Sequence, residues 1–325
     1  MQTKKSILDP KSPGVSRSTL VIALGGNALI RKGQTGTISE QFENLRVPIR
    51  HVAALTRENN IILTHGNGPQ VGNLLLQQEA CDQVPKLPLE ILVAQTQGQI
   101  GYMIESALDE ALMAQDELFH PLVSLITYVV VDKVDPAFNS PSKPIGPCFS
   151  KTQAKALPYP TIKTPKGFRR VVASPKPITI IEKREIKRLI NAGFIVICCG
   201  GGGIPVIRKG RAFNGVDAVI DKDLASALLA VEVGAELLIM ATDVAGVFRH
   251  FKTDQETLIP HLSLSEAKGL LGQSRIGKGS MEPKLKAAVY FLERGGSRAV
   301  ITKVDAIDAG VNGLAGTQIA DVDSP

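Results

Sequence analysis

The sequence predicts an α/β protein in which helices cover both faces of an open, mostly parallel sheet, with a small protruding subdomain inserted. Short apolar runs alternate with segments of helical spacing through most of the chain, which is typical of a parallel sheet. Several of these runs end in glycine-rich loops, as strands do where a sheet binds a ligand. The alternation stops between residues 133 and 176, which hold eight of the twenty prolines. We therefore predict a disordered basic leader at 1–18 and one domain at 19–325, with the inserted subdomain at about 133–176.

The elements before the insert follow from hydrophobic spacing. Apolar or β-branched runs predict strands, and apolar residues three or four apart predict helices. The predicted order is strand 19–24, helix 39–59, strand 60–65, a helix through Gln78, helix 89–112 and a long strand 122–131. Pro48 predicts a kink or break in the first helix, because proline cannot donate a backbone hydrogen bond there.

Regular alternation resumes after the insert. The predicted elements are helix 182–192, strand 194–199, helix 221–233, strand 236–241, helices near 263–271 and 281–294, and strand 298–302. Both halves of the chain therefore supply strands to the same kind of sheet.

The positive charge of the chain is concentrated in two segments. The formal net charge is +6, of which residues 1–19 contribute +3 and residues 133–176 contribute +8, so that the rest of the chain carries −5. This distribution predicts a mildly acidic body with a basic insert. Such an insert can hold a small anion. A nucleic-acid partner is not expected, because binding nucleic acid does not require the glycine-rich loops found at the strand ends.

Several classes of protein are excluded. No apolar stretch is long enough for a membrane helix, and the leader lacks the apolar region of a secretory signal. The four cysteines and five histidines show no zinc-site spacing, so we expect no protein-held metal. We expect a cytoplasmic protein, or an organellar one if the basic leader is a transit peptide.

Glycine loops at three strand ends predict phosphate binding. They are Gly25-Gly26-Asn27, Gly66-Asn67-Gly68 and Gly200–Gly203. Glycine lets the backbone approach an anion, and loop N–H groups can then donate to it. Two other phosphate motifs fail. Residues 272–278 resemble a Walker A loop but Gly279 stands where Ser or Thr is required, and residues 66–72 miss the dinucleotide fingerprint by one position.

Three lysines lie at positions where their charge could bind an anion. Lys222 lies between two aspartates at a helix start, where a cation opposes the helix dipole unless an anion is bound beside it. Lys284 follows Pro283 in another helix start, and Lys143 lies in the basic insert. Each could also be an ordinary solvated or capping-region side chain.

Taken together, these motifs resemble the amino acid kinase superfamily and, within it, the carbamate kinases. The resemblance extends from about Leu20 to Ile319 and rests on ordered blocks. They are residues 21–28, 64–72, 96–102, 143–147, 174–177, 200–205, 219–225, 242–244 and 279–284. Relatives that phosphorylate amino acid carboxylates or UMP carry a lysine two residues before the first Gly-Gly. Ala23 occupies that position here, and the resemblance implies that Lys143 of the insert replaces the missing cation.

The resemblance implies the reaction ATP + carbamate ⇌ ADP + carbamoyl phosphate, with Mg²⁺ entering on the nucleotide, a homodimer, and an ATP-forming role in arginine or agmatine catabolism. It implies that Lys143, Lys222 and Lys284 are catalytic and that Asp223 holds them in place. It implies phosphate and carbamate binding by Gly25, Gly26, Asn27, Gly66, Asn67 and Gly68. It implies nucleotide binding by Gly200, Gly201, Gly202, Gly203, Thr242, Asp243, Val244, Met281 and Pro283.

One segment departs from the family pattern. Carbamate kinases usually carry an Asp and then Gly-Arg-Gly-Trp before Arg169, where this chain has Thr161 to Phe168 without the acidic residue or the Gly-Arg element. Two alternatives therefore stay open. Beside a carbamate kinase, the chain could be a non-catalytic nucleotide-binding paralogue, or an enzyme on the same scaffold that uses a related small acid.

Overall fold

A computed structural model describes residues 17–115, 120–164, 167–272 and 281–321. Most of the predicted leader and most of the Walker-like segment at 272–278 lie outside these ranges. The main sheet has eight strands, numbered here along the chain. In spatial order they are β15 (His261–Ser263), β17 (Thr317–Ala320), β16 (Arg298–Lys303), β12 (Leu237–Thr242), β1 (Ser18–Leu24), β2 (Asn59–His65), β9 (Ile195–Ile197) and β3 (Leu122–Ser124).

Helices pack on both faces of this sheet because successive strand residues point to opposite sides. Val21 and Ala23 of β1 lie in one buried cluster, whereas Leu20, Ile22 and Leu24 lie in the other. The described helices are α1 (Ile38–Leu55), α2 (Gly68–Glu79), α3 (Leu89–Met113), α4 (Lys151–Ala156), α5 (Lys183–Asn191), α6 (Lys222–Val233), α7 (Leu264–Leu271), α8 (Met281–Leu292) and α9 (Ile307–Val311). No described helix has both the length and the apolar character needed to cross a membrane.

All neighbouring strands of the main sheet are parallel except β16 and β17. The predicted α/β fold with a mostly parallel sheet between helices is therefore confirmed. Parallel strands that share a direction bring their carboxyl ends to one edge. Leu24 of β1 is in register with Ala241 of β12 and with His65 of β2, so the loops that follow these three strands start side by side.

Three smaller sheets are present among the described residues. A four-stranded sheet contains β11 (Ala212–Gly215), β10 (Ile204–Lys209), β4 (Tyr128–Val131) and β8 (Pro177–Ile180), and a short hairpin contains β13 (Phe248–Arg249) and β14 (Thr257–Leu258). The insert forms its own three-stranded antiparallel sheet of β5 (Lys143–Phe149), β7 (Gly167–Val172) and β6 (Thr161–Thr164), with α4 beside it. We call β5, α4, β6 and β7 the lid.

Two predicted elements differ from the structure. The long strand predicted over 122–131 is wrong, because the chain leaves the main sheet after the Leu125 N–H bonds to the Ile197 carbonyl and joins the second sheet as β4. Pro48 does not break α1, which runs from Ile38 to Leu55 with Pro48 buried inside it.

Candidate active site

The start of α6 carries the charged centre of the site. Asp221 is the N-cap, and its Oδ1 accepts from the N–H groups of Asp223 at 2.9 Å and Leu224 at 3.3 Å. Lys222 is the first residue of the helix. Capping of this kind fixes the backbone of the first turn, so that the side chains of Lys222 and Asp223 start from a rigid platform.

Asp223 joins two lysines from different elements. Its Oδ1 lies 2.6 Å from Lys222 Nζ and its Oδ2 lies 2.9 Å from Nζ of Lys284, which is in the first turn of α8. Asp223 and Lys284 are each only 4% exposed. Burial acts to raise the pKa of Asp223, but the two ammonium groups outweigh it and hold that pKa well below its usual range. The Asp223 carboxylate is therefore charged at any physiological pH. The pKa of Lys222 is lowered as well, with burial as the leading cause.

The lid adds a third lysine to this cluster. Lys143, the first residue of β5, places its Nζ 2.5 Å from Asp221 Oδ2. Asp221 thus uses one oxygen to cap α6 and the other to hold the lid lysine. From the sequence, Asp221 was expected only as one of two aspartates beside Lys222 at a helix start, because nothing in the pattern of residues showed that one of its oxygens faces the insert. The three lysines and two aspartates together carry a formal charge of +1.

The lid lies on α2 through a close backbone contact. A methyl group added at Gly72 of α2 would overlap the backbone of Gly146 in β5, so glycine is required for the two segments to approach. Arg169 donates from Nε to the Gly146 carbonyl at 2.9 Å, which supports β5 from the neighbouring strand. Arg170 pairs with Glu79 at the end of α2 at 2.6 Å. These contacts fix the position of the lid strand that begins with Lys143.

The first two glycine loops meet beside Lys222. A methyl group added at Gly66 would lie 3.4 Å from Lys222 Cδ and 3.6 Å from the Gly26 nitrogen. The N–H groups of Gly25 and Gly66 already donate to the carbonyls of Ala241 and Leu24. Substrate binding around Gly25 and Gly66 stays a prediction, and the N–H groups of these two residues are already used in hydrogen bonds between strands. Gly26 and Asn27 begin a 3-10 helix, and Gly68 begins α2; such positions present N–H groups without partners inside the helix.

The third glycine loop packs under the second. Gly200 contacts the His65 ring, Gly201 contacts the Asn67 amide, and all four glycines from Gly200 to Gly203 are buried. Gly201, Gly202 and Gly203 have φ between 68° and 92°, the left-handed region that favours glycine. Close packing and backbone conformation are enough to require glycine at these positions, whether or not a ligand binds. The predicted role of these glycines in nucleotide binding stays a prediction.

His65 is a neutral residue within this packing. Its Nδ1 lies 3.2 Å from the Gly66 carbonyl. Burial lowers the pKa of His65 to about 4; the bond to Gly66 acts against this shift, and the positive charge of Lys222 adds to it. Asn67 is also buried and donates to Thr96 Oγ1 at 2.8 Å.

The remaining predicted residues flank the lysine cluster on two sides. Thr242 ends β12 next to Gly25, and its hydroxyl donates to Asp243 Oδ1 at 3.2 Å. Asp243 is exposed and Val244 is partly exposed. Met281 and Pro283 are partly exposed in the first turn of α8, the turn that carries Lys284. The structure thus brings these residues to the same sheet edge as the lysines.

An open sheet with glycine loops and a partly buried lysine cluster at the carboxyl ends of its strands defines an anion-handling α/β protein. The amino acid kinase family model matches residues 18–303, so the chain belongs to the amino acid kinase family. Within that family it is similar to carbamate kinases. The carbamate kinase of Halobacterium salinarum is 41% identical over 94% of this chain and 99% of its own.

Solved structures agree with this assignment. The carbamate kinase from Giardia lamblia bound to citric acid is 37% identical and has a TM-score of 0.89, covering 94% of this chain and 99% of its own. The same Giardia lamblia enzyme bound to AMP-PNP gives 37% identity and a TM-score of 0.85 over the same shares of the two chains.

Proposed function

We propose that this chain is a carbamate kinase that transfers a phosphoryl group between ATP and carbamate, and that it works in the ATP-forming direction in arginine or agmatine catabolism. The observation that carries the proposal is the cluster of three lysines around Asp221 and Asp223, one of them supplied by the lid. The similarity to carbamate kinases over nearly the full length of the chain supports the choice of acceptor.

Phosphoryl transfer needs positioning and charge stabilisation more than covalent chemistry by the protein. Lys143, Lys222 and Lys284 would neutralise the negative charge that spreads over the transferring group. Asp223 would keep Lys222 and Lys284 in place and would not touch the substrate. Strand β1 contributes no lysine to the site. Ala23 occupies the position in question and lies buried between Thr64 and Met240 of the neighbouring strands.

The glycine loops would hold the oxygens of the substrate. The N–H groups of Gly26, Asn27 and Gly68 stand at helix starts, where they can donate to a phosphate or carboxylate oxygen. The nucleotide would lie toward Thr242, Asp243 and Val244 and the first turn of α8. The Giardia lamblia relative bound to AMP-PNP supports nucleotide binding by this fold.

Magnesium would enter with the nucleotide. Asp221 and Asp223 are both occupied by lysines, so neither is free to ligate an ion, and the described residues contain no cluster of metal-ligating side chains. This donor set fits an ion carried by the nucleotide phosphates and water, which neutralises phosphate charge when it is bound.

The chain would act as a homodimer. Ile91, Tyr102 and Met113 of α3 are 42%, 65% and 72% exposed and follow one another at eleven-residue intervals, about three helical turns. A stripe of large apolar side chains on one helix face fits a second copy of the same chain. Light scattering on the purified protein would test this state.

The four cysteines form no disulfide, which fits a reducing compartment such as the cytoplasm.

The test is ATP formation from ADP and carbamoyl phosphate by the purified chain. We expect Lys143→Ala to lower kcat by at least about 100-fold, because preorganised charge at a phosphoryl group is worth that much. Lys155→Ala, at an exposed position of the same lid, should stay within about twofold of the wild type. A wild-type chain that binds nucleotide but forms no ATP from carbamoyl phosphate would instead be a non-catalytic paralogue, and ATP formation from another acyl phosphate alone would indicate a related acid.

A further inference from the structure

Gln70, in the first turn of α2, carries a buried oxygen that the fold leaves without a donor. The residue is 4% exposed. Within the part of the chain that the structure describes, its Oε1 is the one buried side-chain polar atom with no hydrogen-bond partner. Buried polar atoms are rarely left unpaired, because the solvation that they lose is not recovered. Such an atom is a position where a ligand can supply the missing donor.

The hydrogen bonds around Gln70 fix which end of its amide is unpaired. Gln41 donates from Nε2 to the Gly36 carbonyl at 2.7 Å, and a backbone carbonyl can only accept. Gln41 must therefore turn its Oε1 toward Gln70, and Gln70 must donate from its own Nε2, which it does at 2.8 Å. Oε1 of Gln70 is consequently held as the free end.

This amide lies between the segments that leave the first two glycine loops. Gln70 is three residues beyond Asn67, the N-cap of α2, and two residues before Gly72, on which Gly146 of the lid rests. Gln41 belongs to the first turn of α1, which follows the Gly25–Asn27 loop along the chain. Gln70 thus lies one helical turn from the second loop, two residues from the lid contact, and in contact with the helix that follows the first loop.

The groups that we place around the transferring group are hydrogen-bond donors. Three ammonium groups and the N–H groups at helix starts suit the oxygens of phosphate and carboxylate, and the carboxylates of Asp221 and Asp223 are already taken by lysines. Carbamate differs from acetate in carrying an amino group in place of the methyl group, and that amino group needs an acceptor. We propose that Oε1 of Gln70 accepts a hydrogen bond from the amino group of carbamate or carbamoyl phosphate and so makes Gln70 a specificity-determining residue. This inference rests on the proposed function.

Acetyl phosphate tests this role because a methyl group replaces the amino group while the rest of the molecule is kept. ATP formation from ADP is measured with carbamoyl phosphate and with acetyl phosphate, and the ratio of the two kcat/KM values is compared between variants. Gln70→Met keeps the side-chain length and removes the acceptor. We expect it to lower the preference for carbamoyl phosphate by about 10- to 100-fold, the cost of one buried hydrogen bond. The rate with acetyl phosphate should stay unchanged or rise.

Two further variants complete the experiment. Gln77→Met makes the same change at an exposed position of the same helix and should leave both rates unchanged. Gln41→Met frees the Gln70 amide to rotate, and we expect a smaller loss of preference. Because each ratio is taken within one variant, partial misfolding cancels.

The outcomes are distinct. A Gln70→Met enzyme that loses both activities equally, or keeps the wild-type preference, overturns the inference, since Gln70 is then structural or bound to water. A wild-type chain that forms no ATP from carbamoyl phosphate overturns the proposed function itself, and that failure is seen before any substitution is made.

Discussion

Replacing Asp223 by asparagine removes the carboxylate that lies between the ammonium groups of the partly buried Lys222 and the buried Lys284. Lys222 and Lys284 approach its two oxygens at 2.6 and 2.9 Å, and Asp223 and Lys284 are almost entirely enclosed. Burying a charge is costly unless a partner of opposite sign is present, and removing one partner of a buried pair costs about 3–5 kcal/mol. We expect Asp223→Asn to lower the free energy of unfolding by that amount.

The structure offers a control at almost the same distance. Lys286 and Glu282, on the same helix as Lys284, form an ion pair of 2.7 Å in which the side chains are 54% and 40% exposed. Water screens such a pair, so its net contribution is at most about 1 kcal/mol. Lys286→Met should therefore change the free energy of unfolding far less than Lys284→Met.

The assay is urea denaturation of five proteins: the wild type, Asp223→Asn, Lys284→Met, the double variant of these two, and the control Lys286→Met. The two groups are in contact, so their effects should not add, and the coupling free energy should reach about 2 kcal/mol or more. Effects that add to within about 0.5 kcal/mol, or a Lys286→Met loss as large as that of Lys284→Met, would refute the reasoning.

Three other predictions concern pH and the lid. Folded His65 has a pKa of about 4 and unfolded histidine one of about 6.5, so the unfolded chain binds the additional proton between these values and stability falls as the pH drops from 6.5 to 4. In urea titrations at several pH values, His65→Gln should lose roughly 3 kcal/mol less than the wild type over this range, whereas His261→Gln, at an exposed position, should behave like the wild type; equal slopes for all three proteins would contradict the shift. Gly72→Ala should reduce kcat/KM to about the level of Lys143→Ala because its methyl group displaces the lid, while Gly269→Ala, which meets no atom within 4 Å, should keep full activity in the same assay. Arg170→Met should raise the KM for carbamoyl phosphate about two- to fivefold by loosening the lid, and an unchanged KM would show that its pair with Glu79 does not hold the lid.

The fold was largely predictable because its signals are local. Apolar spacing predicts helices such as α6 and α8, and their observed bounds lie within two residues of the prediction. The error at 122–131 has a different origin. The whole run is apolar, and only long-range hydrogen bonds to Ile197 and Ile204 decide that it divides between two sheets.

The site shows the same division between local and long-range information. The resemblance to known kinases pointed to Lys143, Lys222 and Lys284, which the structure brings to two neighbouring aspartates. The second role of Asp221 could not be predicted, because it depends on a residue 78 positions away in the chain. For the same reason the sequence could not show that the N–H groups of Gly25 and Gly66 are already hydrogen-bonded, since their partners are carbonyls of other strands.

The lysine that reaches the site from the lid has a thermodynamic consequence. With the lid on α2, the three lysines and two aspartates carry a charge of +1; without Lys143 the remaining four groups sum to zero. An anion in the site therefore favours the docked lid, and by reciprocity a docked lid tightens the binding of that anion to the same degree. Lid docking and anion affinity would thus be linked equilibria, and we expect a change in Gly72, Gly146 or Arg170 to alter affinity through the position of a single charge.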